Sequence, residues 1–221
     1  MGQGFSRWQQ RRSAKTLKEL APRRTPGHEA PIPKLTRDML LSALSHVASF
    51  IKKKGGDVTV VAVGGAMTAQ DVALLVQGAR DAAKREKNLE GDWFNNRTIL
   101  FMPNEQKATL TDQAFAQREI IFREPGLTVL AAPWNYSFCC KVDRISGGGI
   151  HGAREYDLDD ACHYLRRFLQ LNKVAQVKQA TVYAWFEKYE LVWSEHVRKT
   201  LTQVNLNCRK KFEFSYDVIV A

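Results

Sequence analysis

The sequence predicts an α+β (mixed α/β) domain, in which a small mixed sheet is flanked by helices and followed by a C-terminal helical part. The first half alternates apolar runs of helical period with short β-branched runs, whereas the pattern from residue 134 onward is mainly helical. With 44% hydrophobic and 25% charged residues, the 221-residue chain has the composition of a globular protein. We expect a basic tail and linker over 1–34, an α/β core over 35–133 and a helical part over 134–221.

Two helices and a strand are predicted at the start of the core. Residues 36–54 carry apolar side chains at i, i+4 spacing, with Thr36 as a candidate N-cap and three lysines before a terminating glycine. Residues 57–63 form a β-branched run bounded by glycines, which is typical of a buried strand. Helical period returns over 69–86.

The remaining elements follow from similar signals. Residues 98–103 are predicted as a strand, and residues 119–133 as two strands around a turn at 124–126. Residues 216–220 are a short strand that is expected to return to the sheet. Four further helices are predicted over 134–145, 157–171, 178–191 and 194–210.

The net charge of +10 is concentrated near the N-terminus. Residues 1–40 hold nine Lys and Arg against three acidic residues, and so carry six of the ten charges. The four cysteines lack the spacing of a secreted disulfide framework, no apolar run approaches the ~20 residues of a membrane span, and no secretory signal is present. We therefore expect an intracellular, cytoplasmic protein.

The first six residues, MGQGFS, fit the pattern for N-myristoylation, with Gly2 as the acceptor after removal of Met1. One acyl chain binds membranes only marginally, and the basic residues that follow supply the usual second signal for an anionic membrane surface. A plain disordered basic tail fits the same residues, and a mitochondrial presequence is a third interpretation.

Two glycines follow the strand predicted at 57–63. Gly64 and Gly65 would let the backbone approach a phosphate closely, at the start of a following helix. A tight strand–helix turn uses the same residues, so the glycines alone do not distinguish a phosphate site from a turn.

Two pairs of opposite charge lie on consecutive predicted helices. Lys141 and Arg144 are three residues apart on one, and Asp157 and Asp160 are three apart on the next, so each pair shares a helix face. The four residues fit a structural ion-pair network, or the phosphate-binding and metal-binding ends of one site.

Four segments together carry a family resemblance: VAVGGA after a strand, GDWFNN before one, then GLTVLAAPWNYSFCCKVDRI and REYDLDDACHYL. Over about residues 40–190 they resemble the nucleotidyltransferase superfamily, most of all its AbiEii/MenT toxin-like branch and uncharacterised fungal relatives. Such enzymes transfer a nucleotide from a nucleoside triphosphate to a hydroxyl or nucleic-acid end. The resemblance therefore implies a nucleoside triphosphate, Mg²⁺ or Mn²⁺, and an RNA acceptor.

The resemblance also implies roles for individual residues. It assigns catalysis to a lysine that meets triphosphate charge and to an acidic pair, and nucleotide binding to a glycine pair and an arginine. The residues are Lys141, Asp157 and Asp160 for catalysis, and Gly64, Gly65 and Arg144 for nucleotide binding.

The paired metal-binding carboxylates of the family, Asp-x-Asp on a strand, have no match after Gly65. In one placement Asp71 is the first metal ligand and Ala73 replaces the second; in the other, the segment is absent and Asp71 begins a helix. The second is favoured, because Thr68-x-x-Asp71 before an apolar run is typical of a helix start. Residues i and i+2 share a face on a strand but diverge on a helix.

On this basis the chain could be an active metal-dependent nucleotidyltransferase with divergent carboxylates, and its charge alone would also fit a nucleic-acid binder. Two further classes of function remain open. In the first, the chain is a nucleotidyltransferase-like protein that is degenerate or truncated at the metal site, and a shortened gene model or splice form would have the same sequence. In the second, it is a non-catalytic membrane-tethered adaptor or nucleotide-binding module that uses a myristoylated basic N-terminus.

Overall fold

The computed structural model describes residues 36–62, 69–86, 93, 104–147 and 153–221. These residues form seven helices and five strands. The helices are α1 (Arg37–Lys53), α2 (Ala69–Arg85), α3 (Asn104–Gln117), α4 (Trp134–Ile145), α5 (Asp157–Asn172), α6 (Gln179–Lys188) and α7 (Glu195–Phe212). The strands are β1 (Val58–Val61), β2 (Ile120–Glu124), β3 (Leu127–Leu130), β4 (Val177–Lys178) and β5 (Ile219–Val220).

A three-stranded mixed sheet lies at the centre, in the order β1-β3-β2. β1 pairs in parallel with β3, from Val58 opposite Leu127 to Val61 opposite Leu130. β2 and β3 form an antiparallel hairpin with an irregularity between Ile120 and Phe122. The predicted mixed α/β fold with a small mixed sheet is therefore confirmed.

The two faces of this sheet are covered by different helices. Helices α1 and α2 bury apolar side chains against Val58, Val60 and Val129 on one face. On the other face, Val61 and Leu130 join a larger apolar cluster that contains residues of α3 to α7. Because neighbouring strand residues point to opposite faces, the short strands contribute to both clusters.

The turn between β2 and β3 is packed tightly against α1. Gly126 has a φ of +102°, and a Cβ added there would lie 2.5 Å from the carbonyl oxygen of Ala48 and 2.9 Å from the amide nitrogen of Lys52. A glycine is required here on two grounds: the left-handed backbone and the close approach of the helix.

The C-terminal strand differs from its prediction. β5 does not return to the central sheet but pairs in parallel with β4 in a separate two-stranded sheet. The side-chain amide of Asn205 on α7 holds it there, since its oxygen accepts from the Ile219 amide at 2.9 Å and its nitrogen donates to the Ile219 carbonyl at 2.8 Å.

One further difference concerns the middle of the chain. Helix α3 was not predicted, because its sequence places only a few apolar residues, chiefly Leu110 and Ala114, toward the core. The strand predicted over 98–103 lies outside the described residues. Among the helices that are described, none is long and apolar enough to cross a membrane.

Candidate functional site

Helix α4 begins at the edge where the two parallel strands end. Beyond the last β1 residue, the amide of Ala62 donates to the carbonyl of Leu130 at 2.9 Å, so the chain leaves β1 beside the end of β3. The side chain of Gln117 fixes the start of α4, because it donates to the Ala132 carbonyl at 3.1 Å and accepts from the Trp134 amide at 2.9 Å. The helix that carries Lys141 is thus anchored at the edge of the sheet where β1 and β3 end.

Helices α4 and α5 run in opposite directions along a shared seam. At the start of α4, the rings of Trp134 and Tyr164 stack with centroids 5.7 Å apart. Two turns further along α4, Lys141 meets Asp157 and Asp160 at the start of α5. Residues seven apart lie on nearly the same helix face, which brings the aromatic pair and the charged residues onto one seam.

The structure brings together the four residues of the two oppositely charged pairs that the sequence singled out. Lys141 Nζ donates to Asp157 Oδ1 and to Asp160 Oδ2, at 2.7 Å in each case. Arg144 Nη1 lies 3.5 Å from the same Asp157 oxygen. The Asp157 side chain is fully buried, whereas those of Asp160 and Arg144 are each 35% exposed. We use the name Lys141 cluster for these four residues together with Arg154 and Tyr156, which are described next.

Arg154 and Tyr156 complete the cluster, and sequence reasoning did not identify them. The backbone amide of Arg154 donates to Asp157 Oδ2 at 2.9 Å. Lys141 Nζ lies 5.1 Å from the centre of the Tyr156 ring, and the Arg154 guanidinium lies 5.8 Å from it. The sequence feature that could have identified them is their position immediately before α5, because backbone amides at the start of a helix can donate to its first acidic side chains.

Hydrogen bonds hold the central ion pair in its charged form. Burial alone would raise the pKa of Asp157, but the hydrogen bonds from Lys141 and from the Arg154 amide outweigh it, so the pKa lies below its usual value. Burial likewise opposes the charge of Lys141, but its bonds to the two carboxylates outweigh this and raise its pKa. Both groups are therefore ionised at neutral pH.

The cluster has an excess of one positive charge and reaches the surface on one side. Its cations are Lys141, Arg144 and Arg154, and its anions are the two aspartates. The exposed parts of Arg144 and Asp160 and the half-exposed ring of Tyr156 form its solvent side. This arrangement can present ammonium and guanidinium groups to an anion that approaches from that side.

The carboxylates of the cluster do not fit a divalent metal as they stand. The Lys141 ammonium lies between Asp157 and Asp160, in the position where a metal bridging the two carboxylates would have to be. Both oxygens of Asp157 already accept hydrogen bonds. Throughout the described part of the chain, no three His, Cys, Asp or Glu side chains come together as a metal site.

The other predicted site residues fall elsewhere or outside the described ranges. Asp71 belongs to α2, as the third residue of that helix. Its backbone is therefore helical, and a strand-like Asp-x-Asp arrangement with Ala73 is not available to it. Gly64 and Gly65 lie outside the described residues, as does Gly2.

Comparison with known protein families identifies a match over most of the chain. A family model described as a domain of unknown function (DUF7582) matches residues 34–214. No curated protein and no solved structure matches the chain. Since the family model spans most of the 221 residues, the chain belongs to the DUF7582 family.

Proposed function

We propose that this chain is a nucleotidyltransferase-like protein that binds a nucleoside triphosphate at the Lys141 cluster but has lost most or all nucleotide transfer. The observation that carries the proposal is the position of the Lys141 ammonium, 2.7 Å from each of two carboxylates. It supports both parts, since an ammonium group can bind phosphate and this one also lies where a metal bridging the two carboxylates would have to be.

Phosphate binding follows from the charges on the exposed side of the cluster. Arg144 is partly exposed and makes only a 3.5 Å contact with Asp157, so its guanidinium has donors to offer a phosphate. Lys141 lies one turn away on the same helix and would supply a second positive charge. Together they match the lysine and arginine to which the sequence resemblance assigns triphosphate contacts.

Loss of transfer follows from the chemistry of the reaction. Phosphoryl-type transfer depends almost entirely on positioning and on the charge of bound metal ions. The two carboxylates of the cluster neutralise Lys141 instead of chelating a metal, and Asp71 lies on a helix. A protein with this arrangement should bind nucleotide with little dependence on Mg²⁺.

Nucleotide binding can be tested by isothermal titration of the full chain with ATP, GTP, CTP and UTP, with Mg²⁺ and with EDTA. We expect micromolar to millimolar binding that changes less than threefold when Mg²⁺ is removed. The variant Arg144→Ala should weaken binding about tenfold, since one charge-assisted contact is removed. Lys53→Ala is a matched control, because Lys53 is an exposed lysine on α1 at the opposite face of the sheet.

Transfer can be tested by incubating the protein with labelled nucleoside triphosphates, Mg²⁺ or Mn²⁺, and total RNA. We expect no label on RNA above the level of a heat-inactivated sample. Transfer that disappears in Arg144→Ala but persists in Lys53→Ala would overturn the loss of activity. An absence of nucleotide binding under all conditions would overturn the proposal as a whole.

A further inference from the structure

We propose that the Asp160 carboxylate competes with anionic ligands for Lys141. It occupies the place that a ligand phosphate would take, and so it sets the affinity of the site for phosphate. This inference concerns the regulation of the proposed nucleotide site and rests on that function for its biological ligand. Its chemistry, the binding of a phosphate anion to Lys141, can be tested separately.

The two carboxylates that bind Lys141 are not equivalent. Asp157 is fully buried, and its second oxygen accepts from the Arg154 amide at 2.9 Å, so it belongs to the structure of the α4–α5 seam. Asp160 is 35% exposed, and within the described part of the chain its carboxylate makes one hydrogen bond, the 2.7 Å bond to Lys141. Asp160 is therefore the anion that an incoming ligand can displace.

If a phosphate displaced Asp160, the Lys141 ammonium would still have binding partners on all sides that it has now. The ammonium would keep its 2.7 Å bond to Asp157 and its contact with the Tyr156 ring, while a phosphate oxygen replaced the Asp160 oxygen. The freed Asp160 carboxylate would lie close to the bound phosphate and repel it. Wild-type affinity is therefore lowered twice, by the bond that must be broken and by the like charge that remains nearby.

Asp159 provides a matched control on the same helical turn. Its carboxylate accepts from Lys211 Nζ at 2.6 Å and from Asn207 Nδ2 at 2.9 Å, and so faces α7 instead of Lys141. Replacing Asp159 by Asn changes the net charge by the same amount as replacing Asp160. Any effect specific to Asp160 must then come from its contact with Lys141.

The experiment measures the binding of inorganic pyrophosphate and of ATP by isothermal titration calorimetry in the presence of EDTA. The proteins compared are wild type, Asp160→Asn, Asp160→Glu and Asp159→Asn. Thermal unfolding of each variant checks that it is folded. We expect Asp160→Asn to bind pyrophosphate about tenfold more tightly than wild type, because one opposing charge and one competing bond are removed. Asp160→Glu, which keeps the charge, and Asp159→Asn should both stay within about twofold to threefold of wild type.

Each outcome decides between specific alternatives. Equal or weaker pyrophosphate binding by Asp160→Asn overturns the inference, and weaker binding would show that Asp160 itself helps to hold the ligand. An equal gain in Asp159→Asn also overturns it, because the effect would then be one of general charge. If Asp160→Asn binds pyrophosphate more tightly while no variant binds ATP, the inference holds and the proposed nucleotide function fails.

Discussion

Removing the positive charge of Lys141 should destabilise the fold through the carboxylate that it leaves behind. Methionine has a similar length and shape to lysine without the ammonium, so Lys141→Met removes the charge and keeps most of the packing. The Asp157 side chain is fully buried, and its Oδ1 atom would lose a 2.7 Å bond. A buried carboxylate without its cation is a source of large destabilisation.

The size of the expected loss in the free energy of unfolding depends on the hydrogen-bond donors that remain around Asp157. Breaking a buried ion pair by removing one partner costs about 3–5 kcal/mol. Arg144 stays 3.5 Å from Asp157 Oδ1, and the Arg154 amide still donates to Oδ2 at 2.9 Å. We therefore expect a loss near the lower end, about 3 kcal/mol in the free energy of unfolding.

The loss should shrink as the pH falls. In wild type the pKa of Asp157 lies below its usual value, so its stabilising contribution is present above about pH 4 and is lost at lower pH. Without Lys141, burial should raise the pKa of Asp157 above its unfolded value, so Lys141→Met gains stability relative to its state at neutral pH as the carboxyl group binds a proton. Both changes reduce the difference in the free energy of unfolding between wild type and Lys141→Met at acid pH.

Urea denaturation at several pH values from 7 down to about 3 measures these quantities, with equal m-values as the check that the unfolded states are comparable. The double variant Lys141→Met/Asp157→Asn closes a mutant cycle with the single variants. It should be less destabilised than the sum of the two by about 1–3 kcal/mol. A loss below about 1 kcal/mol for Lys141→Met, independent of pH, would show that no buried ion pair joins the two residues.

Three further predictions concern other parts of the chain. Gly126→Ala should cost about 3 kcal/mol in urea denaturation because its Cβ would lie 2.5 Å from the Ala48 carbonyl oxygen. Gly147→Ala, also at positive φ but with no atom of the described residues within 4 Å of the added Cβ, should cost about 1 kcal/mol; equal losses would contradict the clash. Gln117→Ala should cost about 2 kcal/mol by the same measurement, since two backbone contacts at the start of α4 are removed, and an unchanged midpoint would contradict this. Co-expression with an N-myristoyltransferase should add one myristoyl group to Gly2, seen by intact mass and absent in Gly2→Ala; an unmodified wild type would end the proposal of a lipid tether.

Helices and strands with strong local patterns were predictable from the sequence. The i, i+4 spacing of apolar residues predicted α1, and residues Ala43, Val47 and Ile51 are indeed fully buried. The β2–β3 hairpin was predicted from two apolar runs around a Pro-Gly turn. Helix α3 has no comparable pattern, because it turns only a narrow apolar face toward the core and depends on tertiary contacts for its stability.

The charged residues of the candidate site were also predictable, but their arrangement was not. Helical spacing indicated that Lys141 and Arg144 share a face, as do Asp157 and Asp160. It did not indicate that the lysine lies between the two carboxylates, nor that Arg154 contributes through its backbone.

Local periodicity, capping signals and turn residues determined most of the helices and strands of this chain, with α3 as the exception, because these signals depend on neighbours within a few residues. The tertiary structure decided how those segments meet. It placed β5 beside β4 instead of in the central sheet, and it set α4 against α5 so that one aspartate became buried and the other stayed at the surface. That difference in burial arises from contacts between residues 16 to 19 positions apart, and no pattern within either helix contains it.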